Sequence, residues 1–191
     1  MSTQFSPISG KLGQLIFESP DSGLVPRLEF FIELEFQEAE IDGESAKPFF
    51  RASNIVVDAK SWKDLEHSSY EFSWAPKPGS IEAAMVLFGE QNPADVVALN
   101  FGGAEAGKLS VSFETEVDFE IEADRDELGQ VELSFSNFLL EIAPLKIATS
   151  LAKRCQGDSE AISKAISEII DSSAYGAVSK VPGGFELPIN G

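Results

Sequence analysis

His67 is the only histidine and Cys155 the only cysteine among 191 residues, and these two bound the chemistry open to the chain. A Ser-His-Asp or Cys-His centre would have to use His67, and a histidine-based metal site would lack a second imidazole. His67 lies in a polar stretch, LEHSSYE, with no glycine elbow beside it, and reads as a surface residue. Cys155 falls where an apolar helical stripe is expected, a setting in which a thiol is buried and inert. As a lone cysteine it forms no internal disulfide. Asp124, Asp126 and Glu127 in DRDELG are spaced like the start of a calcium loop, and Gly129 takes the sixth place. The twelfth place is Phe135 instead of a bidentate acid, so the segment reads as a hairpin turn. Gly102-Gly103 and Gly183-Gly184 fit neither dinucleotide nor phosphate-loop spacing. No catalytic, cofactor-binding or metal-binding residue is assigned on this basis, and no cofactor is expected.

Carboxylates remain. The segment from Lys108 to Ala123, KLSVSFETEVDFEIEA, alternates without a break. Leu109, Val111, Phe113, Thr115, Val117, Phe119, Ile121 and Ala123 share one parity. Glu114, Glu116, Asp118, Glu120 and Glu122 share the other. Successive side chains of a strand point to opposite faces, so one long β-strand with a dry face and an acidic wet face follows. At a rise of about 3.3 Å per residue the five carboxylates stand roughly 6.6 to 7 Å apart. That spacing is too wide for one strand to surround a calcium ion. It suits either a solvated outer face or a field that steers a basic partner.

The strands expected around this one share its character. Leu28, Phe30, Ile32, Leu34 and Phe36 alternate with Glu29, Glu33, Glu35 and Gln37 in a strand over Arg27 to Ile41, ended by the turn signal Asp42-Gly43. Further strands are expected over Phe49 to Ala59, Ser69 to Ala75, Ile81 to Phe88 and Asp95 to Phe101, with a helical turn or loop anchored by Trp62 and Leu65. Trp62, Tyr70 and Trp74 cluster in sequence and read as core packing, or as the lining of a groove or partner contact if Trp74 shares the face of Tyr70. Val131 to Ile142 returns antiparallel. Its apolar parity flips between Phe135 and Phe138, which either a β-bulge near Ser136 and Asn137 or burial of Phe138 to Ile142 on both faces explains. Met1 to Pro26 reads as irregular, with a short edge strand at Leu15 to Phe17, and Gly102 to Gly107 as a loop. At Pro144 the period changes to 3.6, and Pro144 suits the first position of a helix bearing Ile147, Leu151 and Cys155. A second helix is capped by Asp158 and carries Ile162, Ala165, Ile166, Ile169 and Ile170 on one face, with Gly176 at its C′ position. A short strand is expected at Phe185 to Leu187.

The fold class predicted is α+β, mainly β: a twisted antiparallel sheet of about seven to nine strands, curled into a half-barrel or sandwich, with two C-terminal helices packed on it. One domain spans 1–191, divided into a β-rich acidic region (1–142), a helical pair (143–180) and a tail (181–191). Fifteen phenylalanines against two tyrosines and two tryptophans predict a phenylalanine-filled core. The net charge of −18 argues against binding nucleic acid or an anionic membrane surface. All of it belongs to residues 1–142, which hold nine basic and 27 acidic residues. No secretory signal or transmembrane run is visible in the sequence, so a soluble cytoplasmic protein is expected. The functional expectation is a non-catalytic acidic binding protein, inhibitor- or immunity-like, that presents Glu114, Glu116, Asp118, Glu120 and Glu122 to a basic protein. The alternatives are a β protein enclosing a small apolar ligand and an enzyme working with carboxylates alone.

Overall fold

Long strands with one dry face twist and roll until their dry faces meet. Here the rolling goes to completion. The structure, a computed structural model, describes residues 5–41, 43–72, 81–120 and 128–190. In chain order its strands are β1 (Pro7–Ser19), β2 (Leu24–Phe36), β3 (Ala39–Ile41), β4 (Glu44–Ala46), β5 (Phe49–Ile55), β6 (Ser69–Glu71), β7 (Glu82–Leu87), β8 (Glu90–Glu105), β9 (Lys108–Asp118) and β10 (Gln130–Ile147). Helices α1 (Thr149–Arg154) and α2 (Ser159–Ile166) follow, and then β11 (Ser179–Val181) and β12 (Gly184–Leu187). The order β1-β2-β5-β7-β8-β9-β10 closes on itself through β1 and β10. Every neighbouring pair in this meander is antiparallel except the closing one. An up-and-down path of seven strands brings its first and last strands to point the same way, so closure must be parallel.

The fold is therefore a closed barrel rather than the half-barrel or sandwich expected, and the strands described exceed the seven to nine foreseen. The short β3–β4 hairpin, β6 beside β8, and β12–β11 continuing from β10 make up the excess. The decisive element is β1, whose stretch the sequence marks as irregular. Its buried parity carries Gly10, Leu12, Gln14, Ile16 and Glu18, so the apolar alternation is broken at three places out of five. Each exception has a partner. A Cβ on Gly10 would lie 2.6 Å from the Leu140 and Phe138 side chains, so a larger residue there would have to displace them. Gln14 Nε2 donates to the Ala143 carbonyl (2.8 Å), and Gln14 Oε1 accepts from the Tyr175 hydroxyl (2.6 Å). Glu18 accepts from Arg154 at 2.8 Å.

The interior is filled by rings. Phe119, Phe5, Phe36, Phe135, Phe113 and Phe50 form a continuous chain with centroid separations of 5.9, 6.3, 5.7, 4.8 and 5.6 Å. Pairs of this kind add about 0.5 to 1.5 kcal/mol each beyond their buried area.

Pro144 does not begin a helix. β10 runs through it to Ile147, and α1 starts at Thr149. Leu12 faces Ile142 and Gln14 faces Leu145, so Ala143 and Pro144 together oppose the single residue Gly13. Proline is tolerated at such a bulge because no ladder hydrogen bond is required of it. It also stands where β10 exchanges neighbours: β9 pairs up to Glu141, and β12 takes over at Leu145. Ile147 accordingly belongs to the sheet and not to the helical stripe. The bulge expected near Ser136 and Asn137 is present: Phe135 faces Phe113, Phe138 faces Val111, and Asn137 has φ 52° with its N–H donating to Ser112 Oγ at 3.0 Å.

Gly102 and Gly103 lie inside β8 opposite Ser110, not in a loop; the turn is the positive-φ pair Ala106-Gly107. Asp158 caps α2, its Oδ1 accepting from the N–H groups of Glu160 (2.8 Å) and Ala161 (3.2 Å). Ile162, Ile166 and Ile170 are buried against the barrel. The α-helix stops at Ile166, well before Gly176, because the chain is drawn back to the body where the Asp171 N–H donates to the Lys60 carbonyl.

Candidate acidic face

The alternation of β9 decides what its carboxylates can do. Val111, Phe113, Thr115, Val117 and Phe119 are each no more than 2% exposed. Glu114, Glu116 and Asp118 stand on the outer side of the same strand. Glu120 follows the strand end, exposed, with its N–H donating to Asp118 Oδ1 at 2.9 Å. Glu122, and with it the Asp124–Glu127 turn and Trp74, lies outside the described residues.

Register then brings in acids that sequence reasoning did not select. Asp95 on β8 and Glu132 on β10 both pair directly with Glu116, so one rung across three strands reads Asp95–Glu116–Glu132. Glu114 is flanked by Ala98 and Ser134, and Asp118 accepts from Gln130 Nε2 at 3.3 Å. Directly opposed residues have Cβ atoms about 4.5 to 5.5 Å apart, and like charges there repel. At about 5 Å in water the unscreened repulsion is at most roughly 0.8 kcal/mol per contact, and salt and the splay of the side chains reduce it to a few tenths. The ion pairs among the described residues are Arg27–Glu29, Lys47–Glu35, Arg51–Glu33 and Arg154–Glu18. None of them reaches the rung. The parity of Glu132 and Ser134 against Val131 and Leu133 would have placed Glu132 on the outer face. Its alignment with Glu116 needed the register.

The other side chains singled out by type are dispersed. His67 is exposed with φ 58°, its ring lies close to Gly103, and among the described residues no hydrogen bond engages its ring nitrogens. Cys155 is half-buried just past the end of α1, its N–H donating to the Leu151 carbonyl. Trp62 is buried, while Tyr70 is half-buried and packs edge-on against Phe101. Among the described residues no three His, Cys, Asp or Glu side chains converge as a metal ion would require, and no helix is long and apolar enough to cross a membrane. The chain matches no protein-family model, no curated protein sequence and no solved structure.

Proposed function

We propose that the chain is a non-catalytic binding protein that docks a basic protein on the outer face of β8, β9 and β10, as an inhibitor or immunity-type protein would. The observation that supports this is the Asp95–Glu116–Glu132 rung. Three like charges in register oppose folding, and no cation among the described residues relieves them. A partner's lysine or arginine placed over Glu116 would be attracted by three carboxylates at once and would lower their mutual repulsion. The same field would steer that partner in and speed association, an effect that salt screens. The six packed rings of the interior leave the apolar-ligand alternative with less support.

Capture of partners from the native host at low and at about 0.5 M salt tests the reading. A basic protein should be retained at low salt, released at high salt, and lost with Glu116→Lys. Because that lysine would sit between Asp95 and Glu132, the same substitution should stabilise the fold by about 0.5 to 1 kcal/mol. Stability and binding then move in opposite directions, which a merely damaged protein would not show. A partner indifferent to both salt and Glu116→Lys would refute the reading.

A further inference from the structure

Among the described residues the seam of the barrel is paired along only part of its length. β1 pairs with β10 only from Lys11 opposite Glu141 to Ile16 opposite Ile147, whereas β9 covers β10 from Gln130 to Glu141. Among the described residues the first half of β10 therefore has a strand on one side only. A strand paired on one side turns alternate N–H and C=O groups outward, a template for another chain. A groove of about 760 Å³ runs along that edge. Phe5, Ser6 and Pro7 form one bank, and every residue from 131 to 136 forms the other. Consecutive residues can all line a groove only when it follows the strand's edge, because a groove on either face would meet every second one. The opposite bank is held away. Phe5 is tied inward between Phe36 and Phe119, the Ser6 carbonyl accepts from Gln37, and Pro7 has no N–H to offer.

We propose, resting on the basic-partner reading above, that this edge takes an extended basic segment of the partner as an additional strand beside β10. Residues 131 to 136 span about 17 Å, room for a strand of five or six residues. One parity of the incoming segment would face Phe5, Leu133 and Phe135 and should be apolar. The other would lie outside next to Glu132 and should be lysine or arginine. Charge decides among occupants: a second copy would bring another −18 and its own Glu132 to the same edge, whereas a cationic strand meets opposite charge. Main-chain hydrogen bonds would supply affinity, and the alternating side chains specificity.

The probe is an acetylated, amidated heptapeptide alternating lysine and valine, compared with the same peptide N-methylated at alternate amides. The full chain should bind the first. N-methylation should weaken binding at least about tenfold, Glu132→Lys should weaken it severalfold, and alternate amides within 131–136 should gain hydrogen-exchange protection on binding. Equal affinity of the two peptides, with exchange at 131–136 unchanged, overturns strand addition. If Glu116→Lys still abolishes binding in that case, the acidic-face reading survives alone. Protection of those amides in the peptide-free monomer, or a dimer that the peptide dissociates, also overturns the proposal, since the edge would then be occupied by the chain itself or by a second copy.

Discussion

Two walls of one barrel treat their acids differently. On the β1–β2–β5 side carboxylates have cations: Glu29 with Arg27 at 2.6 Å, Glu33 with Arg51 at 3.8 Å, Glu35 with Lys47 at 3.5 Å, and Glu18 with Arg154 at 2.8 Å. Arg51 also lies over the Phe31 ring, which covers Gly13. On the β8–β9–β10 side Asp95, Glu116 and Glu132 line up with no such partner among the described residues. Part of the difference is burial: Glu18 and Glu29 are no more than 5% exposed and need their cations, whereas the rung stands on the outer face. The chain pairs the acids it buries and leaves the Asp95–Glu116–Glu132 rung without an ion pair among the described residues. On the proposed reading the Asp95–Glu116–Glu132 rung is where a cation from outside has most to contribute; further along the same wall Lys108 already stands opposite both Glu105 and Glu141.

Substitutions on the two walls should have opposite signs, and the largest effect belongs to the paired one. Arg154→Ala strips the partner from Glu18, which is only 5% exposed and whose second oxygen, Oε1, already has no hydrogen bond. Discounted for the half-exposed arginine, the loss should be about 2 kcal/mol by urea denaturation; an unchanged midpoint would mean that the pair contributes nothing. Tyr175→Phe should cost about 1 to 2 kcal/mol, because Gln14 Oε1 is left buried without its donor. It also has a pH signature. Burial pushes the Tyr175 phenol above its usual value of 10.0, outweighing the hydrogen bond from the Trp62 backbone that acts the other way. A raised folded-state pKa contributes stability that is intact below pH 10 and lost as pH rises past it. The wild type should lose stability in that range, and the phenylalanine variant should lose less.

On the unpaired wall Glu116→Gln should stabilise, by about 0.5 kcal/mol. It should also shrink the rise in thermal midpoint that the wild type shows on going from low to about 0.5 M salt. The smallest effect should come from Arg51→Met, a loss of about 0.3 to 0.5 kcal/mol, since its pair with Glu33 is exposed. If Glu116→Gln destabilised while Arg51→Met stabilised, the contrast between the walls would collapse.

Some of this molecule is legible residue by residue. Lys108 to Asp118 announces its two faces because each step along a strand reverses the side chain. Asp158 announces a helix start because its carboxylate reaches N–H groups two and three residues on. The parity flip after Phe135 announces a bulge, and Asn137 provides it. β1 was hidden for the opposite reason. Gln14 is apolar-compatible only because Tyr175 and Ala143, 161 and 129 residues away, satisfy it. Pro144 looks like a helix start until β12 is known to replace β9 beside it.

Features of short period are thus written locally in the chain: strand faces, a phenylalanine core, an acidic exterior and a capped helix. The closure of β1 on β10, the end of their pairing at Lys11 and Glu141 among the described residues, and the alignment of Asp95 and Glu132 with Glu116 came from long-range packing. The physical reason is range. Periodicity is set by backbone geometry within a few residues, whereas register between strands is set by which distant groups must bury or satisfy one another, and no local pattern encodes that choice.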